Sequence, residues 1–185
     1  MYQLRELERG DLDKIKSWRN DAYLIACLGA PYRYVNEDVE HAWYDNYLHA
    51  RNNSVRCAIV DVNGEKETLL GLISLLNINY INRSGELHIM IGNTENRGKG
   101  IGTFAVQSMV SHAFMNMNLR RIELSVLESN AVAIHLYEKC GFVREGLKRK
   151  SNYKNNAYVN MIIMGLLKEE WIDPHMQESN LPDNL

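Results

Sequence analysis

Arg97-Gly98-Lys99-Gly100-Ile101-Gly102 stands between two different apolar patterns. Before it, Glu86 to Ile91 alternates as a strand does. After it, Ile101, Phe104, Ala105, Met109 and Ala113 recur on one helical face. Without Cβ atoms, the glycines let the backbone approach a ligand closely and adopt dihedrals that other residues avoid. Several N–H groups then point outward at a helix N-terminus, where the helix dipole adds partial positive charge. Arg97 and Lys99 add two cations. The run is therefore built to hold a pyrophosphate rather than merely to reverse the chain.

Spacing excludes two familiar phosphate loops. In a P-loop, four residues separate the first Gly from the Gly-Lys pair, and Ser or Thr follows. Here five residues separate Gly92 from Gly98-Lys99, and Gly100 follows. A dinucleotide fingerprint is G-x-G-x-x-G, whereas Gly98, Gly100 and Gly102 alternate. Nucleotide-dependent phosphotransfer is disfavoured accordingly.

Working outward, Tyr2 to Leu7 reads as a strand, and Asp11 as the N-cap of a helix carrying Leu12, Ile15 and Trp18. A loop with Gly29 and Pro31 follows, then a second helix capped by Asn36, with Val39, Ala42, Trp43, Tyr47 and Ala50 at helical spacing. Strands over 55–62 and 68–76 flank a turn opened by Asn63-Gly64. A further turn over 82–85 leads to the strand before the glycine run. Beyond the glycine-rich helix come a strand over 121–126, a short helix from Asn130 to Lys139 stopped by Gly141, and strands over 143–151 and 158–167. The expected order is β-α-α-β-β-β-α-β-α-β-β, a single mixed α/β sheet flanked by helices. One domain over 1–170 and a polar tail over 171–185 are expected.

Composition agrees with a globular chain: 185 residues, 45% hydrophobic and 24% charged. A net charge of -2 argues against a general nucleic-acid binder, which requires a basic stripe. The three cysteines, Cys27, Cys57 and Cys140, form no CxxC pair, and the six histidines no ligand spacing, so no metal site is indicated. No apolar run suggests a leader or a membrane span, and a reduced cytoplasmic setting is expected.

The glycine run satisfies the pattern Q/R-x-x-G-x-G/A, and Asn130-Ala131-Val132-Ala133-Ile134-His135-Leu136-Tyr137-Glu138-Lys139-Cys140-Gly141-Phe142 follows N-x-x-A-x-x-x-Y-x-K-x-G-F. With both motifs in this order, the chain resembles the GNAT N-acetyltransferases. The segment from Glu86 looks most like the spermidine and ribosomal-protein N-terminal acetyltransferase branch. Trp18-Arg19-Asn20 also resembles acetyltransferases of nucleotide-linked amino sugars.

The resemblance implies acetyl-CoA as cosubstrate and a primary amine as acceptor: a polyamine, a protein N-terminus or an amino sugar. It implies cofactor contacts from Ile89, Met90 and Ile91, from Arg97, Gly98, Lys99, Gly100, Ile101, Gly102 and Thr103, and from Asn130, Ala133, Tyr137 and Lys139. It implies splayed backbone at 89–91 to polarise the thioester carbonyl. Tyr137 resembles the family's general acid for the thiolate. The ammonium of the acceptor must also lose a proton. Glu86 is the candidate base and His88 the second, since alternation puts Glu86, His88 and Met90 on one face. Plainer readings stand beside these: Asn130 as a helix cap, Tyr137 as a packed aromatic. The alternative function is a non-catalytic acetyl-CoA-binding module. A homodimer is plausible by family analogy. Glu37, Asp38, Glu40 and Asp45 could serve a polyamine, although helical spacing spreads them.

Overall fold

The computed structural model describes residues 1–173. Its elements are β1 (Tyr2–Glu6), α1 (Leu12–Arg19), α2 (Ala22–Ala26), α3 (Glu37–His49), β2 (Val55–Asn63), β3 (Lys66–Asn79), β4 (Ser84–Ile91), α4 (Ile101–Ser111), β5 (Arg121–Leu127), α5 (Ala131–Lys139), β6 (Val143–Lys154) and β7 (Ala157–Leu167). The strands form one sheet in the order β1-β2-β3-β4-β5-β7-β6. Neighbours run antiparallel except β4 and β5, which run parallel.

Period-two alternation divides β3 and β4 between two cores. Ile73, Leu75, Leu87, Ile122 and Leu124 face one way, against Ala105, Val106 and Met109 of α4 and Ile134 of α5. Leu72 and Met90 face the other way, against Ile15 and Trp18 of α1 and Tyr44 and Tyr47 of α3. Each Leu or Ile removed from water contributes about 1.5–3 kcal/mol, so both helical layers are held chiefly by apolar burial. Edge strand β6 is exposed along nearly its whole length.

The expected element order holds with one addition. Helix α2 lies within the expected loop, where Asp21 accepts hydrogen bonds from the N–H groups of Tyr23 (2.9 Å) and Leu24 (3.1 Å). Five residues are too few to display a periodic stripe. Asn36 caps α3 as expected, accepting from Val39 N–H at 2.9 Å. Asp11 is a correction. It makes no side-chain cap on α1; its carboxylate accepts both Arg5 guanidinium nitrogens at 2.8 Å and Glu8 N–H at 2.9 Å. A bidentate arginine is a stronger claim on a carboxylate than one amide.

Gly141 ends α5 in the left-handed region, φ 93°, and Phe142 N–H returns to Tyr137 C=O at 3.0 Å. Trp171 packs edge-on to Phe114 with ring centroids 5.6 Å apart, so the first residue of the expected tail belongs to the body. Residues 174–185 of that tail lie outside the described residues.

Candidate functional site

The sheet opens where its one parallel pair begins. β4 follows β3 from Glu86 to Ile91, but pairs with β5 only over Ser84–Glu86 against Arg121–Glu123. Beyond Glu86 the two strands diverge and leave a wedge-shaped gap. Gly92 N–H bonds Leu70 C=O at 2.9 Å, which fixes the alternation along β4. Met90 therefore turns its backbone groups toward β3, while Ile89 and Ile91 turn theirs into the gap. The Met90 side chain packs beneath α1 and α3.

A short 3-10 turn, Thr94–Asn96, leads from β4 to the glycine run. Gly98 and Gly100 have φ of 76° and 80°, which glycine adopts without penalty, and added Cβ atoms there would meet open space. Gly100 precedes α4 with no side-chain cap. The first backbone bond of α4 is Phe104 N–H to Gly100 C=O, at 3.0 Å. Among the described residues, the amides of Ile101, Gly102 and Thr103 have no acceptor, a feature expected of an anion site. Arg97 and Lys99 are exposed beside them and form no ion pair with a described residue. The Ile101 side chain is in the core, 2% exposed, so only its amide is available to a ligand.

Trp18 braces this bend, an arrangement that sequence reasoning missed. Its indole donates to Asn93 Oδ1 at 3.1 Å and lies so close to Gly92 that a Cβ there would stand about 2.0 Å from the ring. Thus α1 fixes the strand end from which the glycine run departs.

α5 follows β5 and packs into the same core as α4. Asn130 Oδ1 accepts Ala133 N–H at 3.1 Å, and its amide donates to Cys27 C=O at 2.9 Å. The carboxamide thereby caps α5 and ties down the segment after α2. Ala133 is half-buried against the core. Tyr137 is 7% exposed and meets Phe142 edge-on, centroids 5.9 Å apart. Burial, with a smaller contribution from Cys140, pushes its hydroxyl up to about 12. That hydroxyl has no hydrogen-bond partner among the described residues, yet is not sealed from solvent. It stays protonated at neutral pH and is free to donate. Lys139 is exposed at the far end of α5, about 13 Å along the helix axis from Asn130 at 1.5 Å per residue.

Glu86 is the last position of β4 paired with β5, at the apex of the gap. His88 Nε2 lies 3.2 Å from its Oε1, so the two candidate bases are in contact. Asn77 Nδ2 donates to its Oε2 at 2.9 Å. Register places Glu86 beside Glu123 on β5, and Glu123 beside Gly165 on β7, over which the Glu145 carboxylate lies. Arg121 joins Glu145 (2.7 Å) and Glu123 (3.2 Å). Three carboxylates thus share one sheet face with one guanidinium. The carboxylates of α3 do not gather: Glu40 is buried beside Arg19, and Asp45 pairs with Arg9.

A groove of about 580 Å³ lies against Arg149, Lys150 and Asn160. A second, of about 310 Å³, shares Lys150 and Asn160 and adds Glu128, Ser129 and Tyr158. Among the described residues there is no group of three or more His, Cys, Asp or Glu able to hold a metal ion. No described helix is long and apolar enough to cross a membrane.

Residues 2–143 match the family model of the acetyltransferase (GNAT) domain. The chain belongs to the GNAT acetyltransferase family. It is 34% identical over 171 residues to spermidine N(1)-acetyltransferase of Vibrio cholerae, covering 92% of this chain and 95% of that protein. It is 32% identical to the Escherichia coli K12 spermidine N(1)-acetyltransferase, covering 94% and 89%. The crystal structure of the Vibrio cholerae spermidine N-acetyltransferase in complex with CoA and spermine superposes with a TM-score of 0.84, at 33% identity and 91% and 96% coverage. The chain is accordingly an acetyl-CoA-dependent N-acetyltransferase acting on an amine. The opened sheet, uncapped helix start and positive-φ glycines fit that cosubstrate.

Proposed function

We propose that this enzyme acetylates a polyamine of the spermidine class, and that Glu86, Tyr137 and the amides bordering the gap carry out the transfer. The observation that carries the polyamine reading is the row Glu86, Glu123 and Glu145, with Glu86 at the apex. At a strand spacing of about 4.8 Å, the row extends roughly 10 Å from the apex, a span that suits a chain of ammonium groups. The relatives' acceptor supports the same reading.

Bound acetyl-CoA supplies an activated acyl group on a thiol. Glu86 takes the proton that the acceptor ammonium must lose, with His88 as its neighbour. The outward-facing amides of Ile89 and Ile91 are aimed at negative charge developing on the acyl oxygen. The Tyr137 hydroxyl donates to the departing sulfur; held up to about 12, it has a proton to give across the neutral range. Gly98 through Thr103, with Arg97 and Lys99, hold the pyrophosphate. Asn130 keeps the α5 start in place and Ala133 lines it; Met90 acts through packing, and Lys139, two residues after the buried Tyr137, lies on the exposed side of α5.

One observation favours a second acceptor class. Arg149 and Lys150 line the larger groove without an ion-pair partner among the described residues, an environment that suits an amine carrying a phosphate, such as a nucleotide-linked amino sugar. Thiol release from acetyl-CoA, followed separately with spermidine, short peptides with free N-termini and amino-sugar nucleotides, decides between them. Turnover with spermidine alone supports the polyamine. Turnover only with the nucleotide-linked amine, lost in Lys150→Glu, replaces it with the second class.

A further inference from the structure

We infer that Asn77 is a positioning residue for acetyl transfer, holding the Glu86 carboxylate in the orientation that receives the acceptor's proton. The inference rests on the reading of Glu86 as the base. Asn77 lies on β3 where the register with β4 shifts, between Leu76 and Asn79. Its backbone is left-handed, φ 51°, a conformation that asparagine tolerates better than most residues. Regular β3 would point residue 77 to the face opposite that of Leu76, the register partner of Glu86. The irregularity instead brings the carboxamide to Glu86, with Nδ2 to Oε2 at 2.9 Å. His88 holds Oε1 at 3.2 Å. With both oxygens engaged, the carboxylate cannot rotate freely, and its remaining lone pairs have fixed directions.

This explains a local expense. A non-glycine residue at positive φ inside a strand is unfavourable, and such strain collects where a side chain has to be aimed. Neither core uses Asn77, and among the described residues its one side-chain hydrogen bond goes to Glu86. Among the described residues, the titratable groups placed against Glu86 are His88 on its own strand, in contact, and Glu123 on β5, its register partner, which is paired with Arg121. β3 contributes only the neutral carboxamide. An amide there aims the base without adding charge to it.

The test compares Asn77→Gly, Asn77→Asp and Glu86→Gln in thiol-release assays across pH with the accepted amine. Asn77→Gly keeps the backbone conformation and removes only the amide. Its kcat should fall between about 10- and 100-fold, the scale of misplacing a reacting group, with KM for acetyl-CoA unchanged. Asn77→Asp sets a second carboxylate against Glu86, disfavours the ionised base, and should move the acidic limb of the kcat/KM profile up by about one pH unit. That shift identifies Glu86 as the titrating base; a merely structural role for Asn77 would instead lower the Tm of Asn77→Gly and leave its kcat at that of the parent. If Glu86→Gln is crippled while Asn77→Gly matches the parent in kcat, the positioning role is overturned and the base survives. If Glu86→Gln is fully active, the base reading falls and this inference falls with it.

Discussion

Replacing Tyr137 with phenylalanine separates chemistry from packing because the structure assigns the two to different atoms. The ring is buried against Phe142 and remains in the variant. The hydroxyl is lost, but it has no hydrogen-bond partner among the described residues. No protein hydrogen bond is broken, so stability should change by no more than about 0.5 kcal/mol, or about 1–2 °C in Tm for a chain of this size. The catalytic loss should be much larger. A positioned general acid contributes about 10²–10⁴-fold, equivalent to about 2.7–5.5 kcal/mol of barrier. The assay is initial-rate thiol release at saturating acetyl-CoA, with CoA affinity from calorimetry and Tm from a thermal melt. The expected result is kcat reduced at least a hundredfold, with CoA affinity and Tm near those of the parent. With the hydroxyl held up to about 12, ionisation of Tyr137 should not depress the parent's rate below about pH 10. A kcat within twofold of the parent would refute the general-acid reading. A Tm loss of several degrees would show instead that the hydroxyl is structural.

Two other substitutions probe the cofactor loop and the buried charge. Gly100→Ala puts a Cβ on a residue at φ 80° with no atom within 4 Å, so its folding cost is conformational strain of about 1–2 kcal/mol. The methyl projects where the pyrophosphate is proposed to lie; calorimetry should show CoA affinity weakened at least tenfold, and unchanged affinity would remove the loop from the cofactor site. Glu40 is 1% exposed, 3.4 Å from Arg19, and neither of its oxygens has a hydrogen bond among the described residues. Burial raises its pKa, so folding favours the protonated form, and stability is lost as pH climbs through the raised folded value. Glu40→Gln should flatten the fall of Tm from the ordinary glutamate range toward neutrality; an unchanged or steeper fall would contradict this.

The sequence by itself determined the local parts. The alternating runs, the helical stripes, the caps at Asn36 and Asn130 and the Gly141 stop all depend on residues within a few positions of one another. For the same reason, the glycine run could be read as an anion cradle, and its spacing to the Asn130 motif marked the family. Asp11 and α2 escaped this reading because a partner distant in structure, or the shortness of the segment, outweighed the local signal: Arg5 on β1 claims the Asp11 carboxylate, and five residues cannot show a period. The site was decided by contacts across the sheet. That β4 leaves β5 after Glu86 is a property of two strands joined through α4. That Asn77 reaches Glu86, Trp18 seals Gly92, and Glu123 and Glu145 extend the carboxylate row depends on register and one irregularity in β3. Sequence spacing encodes which way a side chain points within its own element. Which distant side chains meet it is set by sheet pairing and burial, and these exist only once the chain has folded.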